Sequence, residues 1–559
     1  LSNNRIYENR RGGVRLDHSD NNQIDSNSIL NNNFYGIHLN RSDINLVAYN
    51  TVSSNELGVL VESSNENVFD ENEVCDTYGS AYDIYLDLYS HDNSGDNACD
   101  FLYDQDSNPI GCPVNCAGDA SGTEIHEDLE PSECITPTDG MEITHSGSVT
   151  LCPGTYYLPN GIKINTASDV ILTCKDTTLW GDGTGIGIEV SGTDLDVIEN
   201  VRIEKCRIEN YTWGIRLHYV SSGEIEANII SSCESGIITQ YSGNLNITGN
   251  TVHDCTTGIR FTLSTVNSRV TNNTVYNNAI AGIDVDGSSP FNTISDNNIS
   301  TNGIGIFLDS SKWINVSNND VHHNTNEGIY LYDEVENNDI YANEVSHNEG
   351  AGIRINSPFY EASSNRISGN TITHNGRHGI EFYNALDTQI SLNMIVNNSY
   401  GIISNWSEDT VLSNNRIYEN RRGGVRLDHS NNNQINSNFI LNNSQYGLLL
   451  NHSNTNHVKH NTISSNEFGL YTGFSTYNNL TDNILNDNIE GIWVEGGLWN
   501  NFCNRVCNSV SHDIYLDPGS YFNSGDNICD VLHDEGGSNS VACPTSCAYL
   551  GDEGEIIRQ

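Results

Sequence analysis

A glycine followed by isoleucine, valine or leucine recurs along this chain at a nearly fixed interval. That interval constrains the fold more than any other feature. The glycine stands at Gly214, Gly236, Gly258, Gly282, Gly305, Gly328, Gly352, Gly379, Gly401, Gly424, Gly447, Gly469 and Gly491, in steps of 22 to 27 residues, and earlier at Gly13, Gly36 and Gly58. Eight or nine residues before it lies Asn-x-Ile/Val, as in Asn250-Thr-Val252 and Asn370-Thr-Ile372. Five residues after that Asn comes a second, such as Asn302, Asn324, Asn348, Asn375 and Asn398. Positions one and three past the glycine are mostly apolar (Ile283/Val285, Ile329/Leu331, Val425/Leu427), and position two is mixed (Asp284, Tyr330, Arg426). This is the period-two pattern of a strand with one face inward, and no 3.6-residue period is sustained. Each interval therefore holds two or three short strands joined by Asn/Gly/Ser corners.

A stack of such turns is a parallel β-solenoid whose coils lie about 4.8 Å apart. Composition fits this reading. The chain has 559 residues, 36% hydrophobic, with net charge −49, numbers that taken alone suggest disorder. A thin continuous core needs few apolar residues, however. The 82 Asn residues are explained as ladders in which each side chain bonds to its equivalent on the next coil. Nucleic acid is excluded as a partner, since no basic stripe exists to neutralise phosphates. No apolar run long enough for a membrane span occurs.

The pattern resembles the right-handed parallel β-helix repeat proteins, the superfamily of pectate lyases, polygalacturonases, phage tailspikes and NosD-type copper-maturation proteins. The resemblance covers nearly the whole chain. It implies the right-handedness, which spacing alone does not give. Long β-helices of this kind, with Asn ladders and Cys caps, look like archaeal cell-surface proteins. The expected fold is all-β: a right-handed parallel β-helix of 22–23-residue coils with Asn ladders and Cys-stapled C-terminal caps.

A longer repeat overlies the short one. Residues 1–30 and 412–441 differ at three of thirty positions. Cys75, Cys99, Cys112 and Cys116 answer Cys507, Cys529, Cys543 and Cys547. The expected organisation is a tandem array. Residues 1–117 are the back end of one unit with its cap, and 118–133 an acidic linker. Residues 134–517 are a complete β-helix, 518–547 its cap, and 548–559 the start of the next unit.

Fifteen cysteines imply at least one that is unpaired within the chain. The four in each cap read as two disulfides of open connectivity, with a zinc site at Cys112-x-x-x-Cys116 and Cys543-x-x-x-Cys547 as the competing reading. Cys134 with Cys152 is a further candidate pair. Cys233 with Cys255, and Cys152 with Cys174, read as buried thiols filling ladder positions. Disulfides place the chain outside the cytoplasm, at the cell surface. Eleven Asn-x-Ser/Thr sequons include Asn210, Asn246, Asn298, Asn315, Asn405 and Asn479 as candidate glycosylation sites.

Catalytic motifs are missing. The four polygalacturonase motifs are not found, and Arg is too sparse for a pectate-lyase base. Asp286 and Asp309, with Asp284 beside them, stand at one place on neighbouring coils, where carboxylates serve calcium binding or glycoside hydrolysis. The bland reading is turn residues. His323, His347 and His374 fill one column on three coils and suit zinc, copper or nickel, against outward turn-flanking residues as the alternative. Two methionines argue against copper maturation. Phe307, Tyr330, Tyr471 and Trp493 project outward two past the glycine, a strip for sugars or a neighbouring rod. The expected function is a non-enzymatic structural subunit of a surface filament, sheath, S-layer-like coat or appendage. Its partners are copies of itself and, secondarily, polysaccharide or cell-surface glycans. No cofactor is required, and calcium is the one that the acidic surface would hold. The alternative is a carbohydrate-active or carbohydrate-binding surface protein.

Overall fold

The computed structural model describes residues 134–547, except 288 and 537, and residues 4–75 with short gaps, together with short strands between 83 and 114. The chain divides into two compact units, Leu1–Glu130 and Pro131–Gln559. The division falls inside the expected acidic linker 118–133. That linker and the expected new unit at 548–559 lie outside the described residues, as do Cys116 and the side chains of Cys75, Cys99 and Cys112.

Among the described residues there is no α-helix, and the strands pair in parallel from coil to coil. The chain is a parallel β-solenoid. In the second unit one sheet of eighteen strands contains one strand per coil. These are the Gly-Ile strands, such as Thr257–Thr262, Ile304–Asp309 and Gly423–Asp428. At about 4.8 Å per coil the stack is roughly 85 Å long. The remaining side of each coil holds two three-residue strands around a sharp corner, as Arg269–Thr271 and Thr274–Tyr276 do around Asn272-Asn273. Val270 pairs with Ile294 and Val275 with Ile299 on the next coil.

The inward positions follow the sequence pattern. Ile306 and Leu308 are fully buried while Phe307 between them points out. The central residue of each short strand is apolar and buried, as with Val270, Val275, Ile294 and Ile299. Each such side chain contributes roughly 1.5–3 kcal/mol by leaving water. Together they form one continuous column from Ile143 to Cys529.

Two details explain the repeated letters. The strand glycine is required by close approach. A Cβ at Gly328 would lie 2.5 Å from Val345 Cγ1, 2.7 Å from Gly352 O and 2.8 Å from Asn348 Nδ2. The residue before most ladder Asn is left-handed: Asn272, Asp296 and Asn318 have φ of 55°, 58° and 54°. Asn, Asp and His tolerate that region best among residues with a side chain.

The Asn ladders are continuous. One runs from Asn228 through Asn250, Asn273, Asn297, Asn319 and Asn343 and on to Asn504, each Nδ2 donating to the next Oδ1 at 2.8–3.0 Å. The second runs from Asn278 to Asn488. A third, not expected, joins Asn433, Asn456, Asn478, Asn500 and Asn523. Each rung satisfies fully. Asn273 Nδ2 also donates to Ile247 O and Thr271 O, and the backbone N–H of Asn250 shares the Asn273 acceptor. Buried amides are tolerated only on such terms.

Cys507 bonds Cys547 and Cys529 bonds Cys543, a nested pair that corrects the zinc reading of Cys543 and Cys547. Cys134 bonds Cys152. Cys174 bonds Cys206, so the reading of Cys152 and Cys174 as free ladder thiols is corrected. Cys233, Cys255 and Cys503 are free.

The first unit repeats the same geometry. Its strands Arg5–Tyr7, Gly12–Asp17, Gln23–Asp25 and Ser28–Leu30 match Arg416–Tyr418, Gly423–Asp428, Gln434–Asn436 and Phe439–Leu441 in the second. Register matches too: Arg5 pairs with Ser28 as Arg416 pairs with Phe439.

Candidate functional site

The outward face of the eighteen-stranded sheet carries the densest chemistry. Register places Arg260, Asp284, Phe307, Tyr330, Arg354 and Glu381 in one column on six successive coils. Arg260 lies 3.1 Å from Asp284 Oδ2 and 3.2 Å from Asp286 Oδ2. Asp284 is buried, and its Oδ1 has no hydrogen-bond partner. Burial, with the charges of Asp286 and Asp309 adding, pushes its carboxyl up to about 7 against the pull of Arg260. Burial also raises Asp309; the Ser310 hydroxyl opposes this, and Asp286 and Asp333 add to it.

Beside the acids is an aromatic platform. Phe307 and Tyr330 have ring centroids 5.4 Å apart. The Arg354 guanidinium lies 5.3 Å from the Tyr330 ring centre and 2.8 Å from Glu327 Oε1. Asn356 Nδ2 donates to the Tyr330 hydroxyl at 3.0 Å. The platform is thus held in place before any ligand arrives. Aromatic faces with neighbouring carboxyl and guanidinium groups suit a sugar ring. Cleavage is less well served, because hydrolysis uses carboxyls flanking a bond from both sides. Here Asp284 and Asp286 are both tied to one guanidinium on one sheet face.

Tyr471 and Trp493 are in register with each other and with Tyr515 and His533. The Trp493 and Tyr515 rings stack at 3.9 Å.

His323, His347 and His374 occupy left-handed corners with φ of 54°, 54° and 55°. Their rings stack at 5.1 and 5.0 Å, within 5° of parallel. Among the described residues two sets of three metal-capable side chains converge, and neither contains these histidines, Asp286 or Asp309. One set, Asp513, Asp530 and Cys547, is already committed. Cys547 is in a disulfide, so its sulfur is not a thiolate donor. The other is Asp428, His429 and His452.

The six named sequon asparagines are half-buried. Asn246, Asn298, Asn315 and Asn479 open strands, Asn405 ends one, and Asn210 sits at a corner donating to Gly181 O.

Sequence reasoning passed over one feature. In a chain with 24 basic against 73 acidic residues, Arg354, Arg377, Arg422 and Arg426 surround His378. Burial, then these charges, push that imidazole down to about 4. Arg377, Arg421 and Arg422 are exposed. Arg421 donates to Gly376 O at 3.0 Å. The signal was legible as Arg421-Arg-Gly-Gly-Val-Arg426, repeated at Arg10–Arg15.

The profile of the family described as periplasmic copper-binding protein (NosD) matches residues 1–94, 270–399 and 359–527, more than half of the chain. That of the right handed beta helix region matches residues 160–312. No curated relative matches in sequence. Among solved structures, the mannuronan C-5 epimerase AlgE6 A-module of Azotobacter vinelandii is similar at 12% identity and a TM-score of 0.35, over 72% of this chain and 91% of that one. The Dettilon tailspike protein gp208 is similar at 15% identity and 0.37, over 57% and 62%. DFA-IIIase of Arthrobacter chlorophenolicus A6 is similar at 15% and 0.32, over 72% and 88%. Likenesses this distant carry no argument about activity.

Among the described residues, the side chains that converge suit copper(II) rather than copper(I). Copper(I) favours thioether and thiolate. The two methionines, Met141 and Met394, stand far apart in the chain, and the thiols of Cys233 and Cys255 lie 3.3 Å from the carbonyls of Ser231 and His253. Imidazole and carboxylate suit copper(II), and Asp428, His429 and His452 supply them.

Proposed function

The chain belongs to the family described as periplasmic copper-binding protein (NosD), and from that premise we propose that it is a structural protein of the cell envelope or exterior. It is a β-helical segment of a tandem array that packs against copies of itself in a filament, sheath or coat. One observation carries this reading: the near-identical segments at 1–30 and 412–441 fold into matching strands and share the sequence Arg-Arg-Gly-Gly-Val-Arg. A contact face reproduced in successive units serves a polymer, since identical surfaces repeat identical contacts. The shared stretch is basic while the chain carries −49, so the complementary partner is the acidic flank of another copy. Disulfides in the second unit suit an oxidising compartment.

The test is sedimentation and electron microscopy of the full chain at low and high salt. Lateral assemblies that dissolve with salt and with Arg421→Glu/Arg422→Glu support the reading. Dispersed rods under all conditions refute it. Calcium bridging between acidic flanks belongs to the same reading, and assemblies indifferent to chelator would remove it.

A second reading is favoured by the Asp284–Phe307–Tyr330 face: recognition of a neutral glycan. Loss of oligosaccharide binding in Tyr330→Ala, with no change in assembly, would support it. Release of sugar products would turn binding into catalysis.

A further inference from the structure

We propose that Asp428, His429 and His452 form a binding site for one divalent transition-metal cation of the copper(II), nickel(II) or zinc(II) class. Asp428 ends the strand Gly423–Asp428, and Asn451 ends the next, Tyr446–Asn451, in register with it. The residue after each is a histidine in a left-handed corner, with φ of 49° at His429 and 47° at His452. The same corner on successive coils lays one ring over the other, with centroids 4.9 Å apart and planes within 5°. Trp406 covers His429 at 4.3 Å, and Phe474 covers His452 at 5.4 Å. Both flanking residues occupy the same left-handed corner on their own coils. The four-ring stack orients two imidazoles without help from a metal.

One donor atom from each of Asp428, His429 and His452 lies within 4.8 Å of the others. Bonds of about 2.0–2.2 Å set adjacent donors about 3–3.5 Å apart, so small side-chain rotations close the set. The orienting partners are already present. His429 Nδ1 is 3.0 Å from Asp428 Oδ1, and His452 Nδ1 is 3.1 Å from Asn451 Oδ1. Asn451 Nδ2 donates to Asp428 Oδ1 at 2.9 Å, while Arg426 takes Oδ2. Two nitrogens and one carboxylate oxygen select borderline cations over calcium, which takes six to eight oxygens. Water completes the shell on this open face.

The first unit supplies a built-in comparison. It keeps Asp17, His18 and Asn40 in the matching register, but Arg41 stands where His452 does. The Arg41 guanidinium lies 3.4 Å from His18 Nε2 and would repel a cation. The site therefore belongs to one copy only. It is independent of the self-packing reading and fails separately from it.

The full chain is titrated with copper(II) and with zinc(II) by calorimetry, and the copper(II) form is read by electron paramagnetic resonance. One equivalent with hyperfine coupling from two imidazole nitrogens is expected. His452→Arg, a side chain the fold already accepts at Arg41, should weaken binding at least thirtyfold with unchanged melting. Asp428→Asn should keep the nitrogen coupling and weaken binding about tenfold. His347→Asn, which alters the other histidine column, should leave both readouts untouched. Wild-type binding in His452→Arg, loss in His347→Asn instead, or no binding of either metal overturns the proposal.

Discussion

Asn343 donates its side-chain amide to Asn370 Oδ1 at 3.0 Å across 27 residues, although most coils take only 22 or 23. The surplus bulges between Ile353–Asn356 and Ala362–Ser363, where Phe359 and Tyr360 are largely exposed. The ladder sets the register, and the loops absorb what does not fit. Asn343→Ala takes one donor each from Asn370 Oδ1, Val316 O and Tyr341 O, and removes the acceptor shared by the backbone N–H and Nδ2 of Asn319. The expected loss is on the order of 2–3 kcal/mol in chemical denaturation. Deleting the Phe359 side chain (Phe359→Ser) should change stability by less than about 0.5 kcal/mol.

The glycines separate two kinds of constraint. Gly328→Ala drives a Cβ to within 2.5 Å of Val345 and 2.7 Å of the Gly352 carbonyl. It should cost about 2–3 kcal/mol or more, since neighbouring coils must part. Gly369→Ala meets nothing within 4 Å, and its only obstacle is φ of 65°. Its cost should be about 1 kcal/mol. Melting of the two variants side by side checks the ordering.

Asp284 makes stability depend on pH. Its folded carboxyl titrates at about 7, against an ordinary 3.8. Between those values the unfolded chain has released a proton that the folded chain still holds. Stability therefore falls as pH rises through the window and is flat above it. Asp284→Asn should raise stability at pH 8 by an amount on the order of a few kcal/mol and change little at pH 3. Equal effects at both pH values would contradict the burial argument.

His378 acts in the opposite direction. Burial, with Arg377, Arg422, Arg426 and Arg354 adding, holds it down to about 4. Below the ordinary 6.5 the unfolded chain takes up a proton that the folded chain refuses, so this contribution is lost as pH falls toward 4. His378→Gln should flatten that part of the acid limb. An unchanged acid limb would show that other groups carry it.

The short period made the coil, the strand positions and two ladders legible, because apolar alternation and a fixed Asn spacing are local signals. The third ladder through Asn433, Asn456 and Asn478 escaped notice although each stands nine residues past its coil glycine, because on earlier coils Ser268, Ile314 and Thr410 fill the same column. The column position of His323, His347 and His374 was readable. Their face-to-face stacking was not, because it follows from the left-handed corner each occupies. The same corner places His429 over His452, whose convergence with Asp428 spacing alone did not reveal. Asp284 looked like one turn acid among many until burial set it apart from Asp286 and Asp309. Cys174 and Cys206 escaped notice because 32 residues, not one ordinary coil, separate them.

The central claim is that repeated β-helical units carry a repeated contact. Its most direct measurement is electron microscopy of the full chain, with and without Arg421→Glu/Arg422→Glu, at matched low salt. The account predicts laterally packed rods with a regular spacing that the double variant abolishes while its melting temperature is unchanged. Packed rods of the same spacing in the double variant, or single dispersed rods in both, would contradict it.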